Sequence, residues 1–352
     1  MVRETEKPIL VTGGAGMIGS AIIWRLNQLG HDGILVVDRM DRSEKWRNLA
    51  PLRFLDYIDA DDLLQRIKDA PGRLKNVQSV YHLGACSSTT ETDAAFMMRN
   101  NFEYTKTLAH WAVARDIRFV YASSAATYGA IESSVTEDLA AGSLRPLNLY
   151  GYVKHLFDCY AQRSGLLDRI TGLKYFNVFG PNEDHKGDMR SVVHKAFHQI
   201  RETGKLKLFK SYRPEFADGC QQRDFLYLKD AVSMTLYLGE AEGANGIFNI
   251  GSGTPHSWLE LANAIFGAMD AEPDIEFIPM PDELRGKYQY RTCANITKLR
   301  SVGYDAPITP LAEAVADYIR GYLSSGLHLG DESVLPAEPE SMSVEAHKQL
   351  SV

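Results

Sequence analysis

The stretch Thr12-Gly13-Gly14-Ala15-Gly16-Met17-Ile18-Gly19 follows the apolar run Ile9-Leu10-Val11 and opens an amphipathic segment over 20–29. It satisfies GxGxxG through Gly14, Gly16 and Gly19, and GxxGxxG through Gly13, Gly16 and Gly19. Glycine belongs where a backbone turns tightly and where a side chain would collide with a pyrophosphate, and the helix that follows offers its free N–H groups to phosphate oxygens. Such a motif is weak alone. Here it sits between a strand and a helix, and Asp38 ends the next β-branched run, Ile34-Leu35-Val36-Val37, placed to accept from ribose hydroxyls. These features together predict a dinucleotide site. Arg39, Arg42 and Lys45 come directly after Asp38; they read either as a solvated loop face or as cations for a ribose 2′-phosphate.

Outward from this turn the pattern repeats. Runs at 79–81 and 118–121 read as strands, and 61–68 and 97–115 as helices between or after them. Strands alternating with helices imply right-handed crossovers and a parallel sheet covered on both faces. The expected fold is therefore α/β: a Rossmann-type doubly wound parallel sheet with a smaller C-terminal substrate-binding lobe. Residues 1–180 make the dinucleotide-binding part, with 217–256 returning to it. The lobe takes 181–216 and 257–323, and 324–352, polar and without period, reads as a disordered tail. In the second half, 173–179 reads as one buried strand ending at Gly180-Pro181, 246–250 as a late strand, and Ser257-Trp258-Leu259-Glu260 as a capping box. Pro273, Pro279 and Pro281 forbid one long helix there.

The 352 residues carry 38 Lys and Arg against 45 Asp and Glu, a net charge of −7. An acidic chain lacks the electrostatic footprint of a nucleic-acid binder, and an anionic ligand would have to be held by locally placed cations. Cys86, Cys159, Cys220 and Cys293 are scattered without CxxC, so neither a disulfide scaffold nor a metal site is expected, and a reducing cytoplasm fits. His194 and His198 stand four apart, but no glutamate follows His194 to make HExxH; they read as a solvated helix face. The first eight residues mix charges of both signs, unlike a signal peptide, and no apolar stretch nears the roughly 20 residues of a membrane span.

Tyr150-Gly151-Tyr152-Val153-Lys154 carries the chemistry. On a helix, Tyr150 and Lys154 share one face. A phenol is a poor base at neutral pH, but a neighbouring ammonium favours the phenolate, so Lys154 is expected to lower the Tyr150 pKa. Upstream, 121–129 (YASSAATYG) follows a strand and sets hydroxyls at the carboxyl end of the sheet, where open α/β folds bind ligands.

On these residues the chain resembles the extended short-chain dehydrogenases/reductases, which modify nucleotide sugars, and within them the epimerases that invert C6 of an ADP-heptose. The resemblance runs over 8–322. Its most specific stretches are 84–91 (GACSSTTE), 122–129, 150–154, 176–181 with His185-Lys186-Gly187, and 281–288 (PDELRGKY). It implies Tyr150 and Lys186 as the two acid/base groups, Ser124 as the hydroxyl on the reacting oxygen, and Lys154 as a holder of the cofactor. Cofactor contacts implied are Gly13, Gly16, Met17, Ile18, Gly19, Asp38, Arg39, Lys45, Leu83, Gly84, Ala85, Cys86, Ser87 and Asn100. Those to the ADP-sugar are Ser124, Asn177, Asp188, Lys195, Phe209, Lys210, Ser211, Tyr212, Arg223 and Tyr288, with Arg223 as a diphosphate clamp.

The implied reaction is redox-neutral. Hydride leaves C6 of the heptose for the cofactor, NADP with NAD as the other candidate, and returns to the opposite face of a transient ketone, completing the donor for the lipopolysaccharide inner core. Inversion needs a proton acceptor or donor for each of two sugar orientations, which is why a second base is expected. From its residue type alone, Lys186 would be an exposed loop lysine. Family resemblance also implies a homo-oligomer, a pentamer by pattern. Asp188 stands where relatives carry a small hydroxyl residue, Lys195 where they carry a histidine, and 213–220 reads as an insertion. Two other functions stay open: a different nucleotide-sugar epimerase such as a 4-epimerase, and a non-catalytic NADP-binding regulator. A dehydratase would carry Asp-Glu where Ala125-Ala126 stand.

Overall fold

The computed structural model describes residues 7–69, 74, 76–137, 141–285 and 288–331. The N-terminal stretch 1–6, Gly286-Lys287 of the PDELRGKY segment, and the tail beyond 331 lie outside them. Seven parallel strands form the central sheet: β1 (Ile9–Thr12), β2 (Ile34–Asp38), β3 (Asp56–Asp59), β4 (Ser79–His82), β5 (Arg118–Ser124), β6 (Thr171–Tyr175) and β7 (Gly246–Ile250). Their spatial order, β7-β6-β5-β4-β1-β2-β3, reverses direction at β1. That reversal opens a crevice at the carboxyl ends of β1 and β4, the place where such sheets bind ligands.

Alternation along each strand builds two apolar layers. Val11, Val36, Tyr81 and Val120 face one, with Ile22 and Leu26 of α1 (Met17–Gln28) and Val232 and Leu236 of the helix Leu228–Glu240. Leu10, Leu35, Val37, Val80 and Phe119 face the other, with Leu63 and Ile67 of α2 (Ala60–Asp69) and Val153 and Phe157 of α3 (Leu149–Arg163). The fold class is as the residues predict: α/β, Rossmann-like.

Three elements differ from expectation. Strand β3, an edge strand reading Asp-Tyr-Ile-Asp, has too little apolar character to be noticed as a strand. The run 173–179 is two strands: β6 ends at Tyr175, and Asn177–Phe179 leaves the main sheet to pair in parallel with Phe225–Tyr227. Residues 327–331, read as part of a disordered tail, are instead packed. Leu329 is fully buried, and its amide donates to Asn182 Oδ1 at 3.0 Å. Two leucines, Leu327 and Leu329, in a short polar context are too few to set a helical period, so sequence patterning did not mark them.

Beyond the carboxyl edge lie short pairings: Leu206–Phe209 with Ile275–Ile278, Gln222–Arg223 with His256–Ser257, and Cys293–Ala294 with Ser134–Val135. Ser257 and Glu260 form the expected capping box at the start of Trp258–Ala268. The segment read as a helix over 97–115 starts at Ala94 and contains a π turn, Met98–Glu103, a feature common near binding sites. No helix among the described residues is long and apolar enough to cross a membrane.

Candidate active site

A cleft of about 780 Å³ occupies the crevice. Its floor is the glycine turn. Gly13 holds φ at +67°, where only glycine is unstrained, and a Cβ there would lie 2.7 Å from the Gly84 nitrogen. A Cβ on Gly19 would come within 2.1 Å of the Gly13 carbonyl oxygen, so α1 can seat on the turn only without a side chain. Gly16, Met17 and Ile18 put the helix N-terminus and its unpaired first-turn amides at the cleft. This cradle fits a dinucleotide pyrophosphate.

At the end of β2, Asp38 keeps the turn and the following loop together. Its carboxylate accepts from the Ala15 amide at 2.8 Å, the Arg39 amide at 2.7 Å and Lys45 Nζ at 3.0 Å. Asp38 and Lys45 line the cleft. Arg39 does not: its guanidinium turns away to Asp61 and Asn100 and, with them, lines a separate recess of about 290 Å³.

Ser124, Tyr150 and Lys154 meet on the opposite wall. The Asn148 side chain accepts from the Gly151 amide at 2.8 Å and starts α3 there, one residue ahead of Tyr150. Lys154 Nζ donates to the Ala122 carbonyl oxygen at 2.7 Å, which ties the helix to β5. The expectation that Lys154 lowers the Tyr150 pKa fails in the free chain. Burial raises it, against the pull of the hydrogen bond with Ser124, while the Lys154 ammonium is engaged by the Ala122 carbonyl. Burial also lowers Lys154 itself to about 8, with Asp158 opposing.

That value has a stability consequence. Between about 8 and the ordinary lysine value near 10.4, the unfolded chain keeps a proton that the folded one has released, so this lysine makes stability rise with pH across that window. In denaturant titrations at pH 7.5 and 9.5, Lys154→Met should lose that component, up to about 1.4 kcal/mol per pH unit. An identical pH slope in both proteins would refute the assignment.

Lys186 enters from the far side on the 3₁₀ turn Asp184–Met189. Its Nζ lies 3.6 Å from Glu183 Oε2 and 3.7 Å from Met17 Sδ. Glu183 is fully buried and also accepts from the Ser191 amide and hydroxyl and from the Tyr318 hydroxyl at 3.0 Å. His194, expected on a solvated face, is buried instead and pairs with Asp184 Oδ1 at 2.8 Å, anchoring the same turn. The helix Val192–Thr203 packs through Val193, Phe197 and Ile200, and that face takes His194 inward. His185, neighbouring Asn48, is held neutral, its pKa pushed down to about 4 by burial and then by Lys186.

Leu83, Gly84, Ala85, Ser87, Asn177 and Arg223 also line the cleft. Arg223 is nearly buried under Trp258 and Tyr288, whose rings lie 5.6 and 5.0 Å from its guanidinium carbon. Other expected contacts lie elsewhere. The Cys86 backbone is clamped by Asn101, and Lys195 Nζ donates to the Asp188 carbonyl oxygen at 2.5 Å. Residues 209–212 stand outside the cleft wall: the Ser211 amide donates to Asp218 and the Tyr212 amide to Tyr290. The Phe209 and Lys210 carbonyls accept from Gln221. Asp218 lies in the segment 213–220 that reads as an insertion, and that segment holds the strand end rather than hanging free. Tyr288 touches Arg223 from behind and accepts from Trp258 Nε1 at 2.7 Å.

The cleft further gathers Ser88, Thr89, Asn148, Phe176, His185, Gln289 and Thr292, which the sequence reading did not single out as site residues. Thr89 and His185 lie inside stretches quoted for the resemblance, so that signal was present. Gln289 and Thr292 come from a distant segment and no local pattern marks them.

A model of the NAD dependent epimerase/dehydratase family matches residues 9–251. An ADP-L-glycero-D-manno-heptose-6-epimerase of Nitratidesulfovibrio vulgaris (strain DP4) is 49% identical over 319 residues, covering 90% of this chain and 98% of the relative. Another, from Fusobacterium nucleatum, is 44% identical over 326 residues with the same coverage. Among solved structures, the Helicobacter pylori protein of that name superposes with a TM-score of 0.75 at 24% identity, covering 90% and 96% of the two chains. A UDP-glucuronic acid 4-epimerase from Bacillus cereus with NAD superposes with a TM-score of 0.71 at 25% identity, covering 89% and 99%.

Proposed function

The chain belongs to the NAD dependent epimerase/dehydratase family, and from that footing we propose that it interconverts ADP-D-glycero- and ADP-L-glycero-D-manno-heptose, the donor for the lipopolysaccharide inner core. The observation that carries this reading is the convergence of Ser124, Tyr150 and Lys154 on one wall of a single cleft with Lys186 on the other and the glycine turn between them. A nicotinamide dinucleotide supplies reversible hydride acceptance when bound. Gly13, Gly16 and the α1 N-terminus would hold its pyrophosphate, Asp38 its adenosine ribose and Lys154 its nicotinamide ribose. NADP is the form we assign; Lys45, which lines the cleft beside Asp38, would hold its 2′-phosphate.

Tyr150 takes the proton of the C6 hydroxyl in one sugar orientation, and Ser124 hydrogen-bonds the same oxygen. Lys186 faces that oxygen when the sugar is turned over, so that inversion needs no movement of α3. Glu183 keeps the Lys186 ammonium within reach of the cleft. Arg223, desolvated beneath two aromatic rings, binds the substrate diphosphate. The enzyme acts in the cytoplasm as a homo-oligomer, a pentamer on the family pattern.

Turnover on ADP-heptose and on UDP-galactose separates this reading from a 4-epimerase, which needs only the tyrosine; activity on the UDP-sugar alone would defeat it. Lys186→Met should bind cofactor normally and lose about 10²-fold or more in epimerisation. Glu183 keeps three hydrogen-bond donors in that variant, so the fold should hold. Unchanged turnover would return Lys186 to an ordinary loop lysine.

A further inference from the structure

We propose that Asp61 sets how strongly this chain prefers a 2′-phosphorylated dinucleotide over the unphosphorylated one, an inference that rests on the cofactor reading above. Arg39 is the residue after the ribose-binding aspartate, the usual place for a cation that recognises a 2′-phosphate. Here it is already engaged. Its Nε donates to Asp61 Oδ1 at 2.8 Å, one terminal nitrogen binds the same oxygen at 2.5 Å, and the other donates to Asn100 Oδ1. The Nε edge is the one that pairs side-on with oxyanions, so a 2′-phosphate and Asp61 compete for the same face of the guanidinium.

The competition is open rather than locked. The side chains of Arg39 and Asp61 are 42% and 70% exposed, and an exposed pair of this kind contributes little to folding and exchanges readily. A phosphate can therefore take Arg39, but the displaced carboxylate remains beside it. The ribose end already carries Asp38, whose partner cation Lys45 is shared with Asp41 at 3.5 Å. A doubly charged phosphate thus meets two cations that are each already paired with carboxylate. Discrimination between the two dinucleotides should be small in the natural chain, with Asp61 as the group that keeps it small.

Equilibrium binding of NADP⁺ and NAD⁺ to the full chain, stripped of co-purifying nucleotide, tests this. Asp61→Asn keeps the shape and removes the charge. It should raise NADP⁺ affinity roughly tenfold at low salt and shift NAD⁺ by less than about twofold, the gain shrinking as salt screens the site. Arg39→Gln should weaken NADP⁺ and leave NAD⁺ nearly unchanged. An Asp61→Asn protein whose NADP⁺-to-NAD⁺ ratio stays within about twofold of the parent, or moves toward NAD⁺, would overturn the proposal. Failure of the parent chain to bind either dinucleotide would overturn the cofactor reading itself.

Discussion

Tyr150→Phe should fold as the parent does, keep its dinucleotide affinity within about twofold, and lose roughly 10²–10⁴ of its epimerisation rate. The substitution removes one oxygen and no packing, because the ring stays in the layer built on α3 and β5. What it removes is the hydroxyl that hydrogen-bonds the Ser124 side chain. Since burial raises the phenol's pKa in the free chain, the proton-accepting form is scarce at neutral pH. Parent activity should therefore climb with pH until Lys154 gives up its proton, at about 8 in the free chain, and then level or fall. The Phe variant should lose the rising limb as well as the rate. Initial rates on ADP-heptose across pH 6–9 would check both, and a variant with near-parental turnover would remove Tyr150 from the chemistry.

Asp158→Ala should cost the fold about 3–5 kcal/mol, a large part of a typical total of about 5–15 kcal/mol. Asp158 lies two turns beyond Tyr150 on α3 and is essentially inaccessible. Its carboxylate accepts from Tyr121 OH at 2.9 Å and Ser123 Oγ at 2.8 Å, and Lys174 Nζ lies 3.4 Å away. Lys174 is equally buried, donates to Thr127 Oγ1 at 2.7 Å and sits 4.3 Å from the Tyr128 ring centroid. Removing the carboxylate strands an ammonium in an apolar layer and frees two hydroxyls, and that uncompensated charge dominates the loss. Asp158→Ala with Lys174→Met should recover much of the stability, since the Lys174 charge is removed together with its buried partner. Urea denaturation of the parent and these two variants distinguishes this account. A single variant within about 1 kcal/mol of the parent would refute it.

Local chemistry explains which features were legible. The glycine turn, Asp38 and the Tyr150–Lys154 pair are set by spacings shorter than one supersecondary unit, and a spacing survives folding unchanged. Lys186 was legible only through the resemblance; nothing about its residue type separates it from any loop lysine until Glu183 and Met17 are seen beside it. Arg39 shows the opposite case. Its position after Asp38 suggested a phosphate cation, while the group that occupies it lies twenty-two residues away on α2. His194 was misplaced for a similar reason: two histidines four apart mark a helix face, but which face turns inward is decided by Phe197 and Ile200 packing on the core.

The amino-acid sequence by itself determined the sheet's strand-helix alternation, the dinucleotide turn and the family, because each depends on residue type and near-neighbour spacing. The tertiary structure decided how the charged groups pair. Asp61 claims Arg39, Asp158 claims Lys174 and Ala122 claims Lys154, and none of these partnerships has a local signature. The physical reason is that a pairing energy depends on distance and burial, and both are fixed only when segments far apart along the chain are packed together.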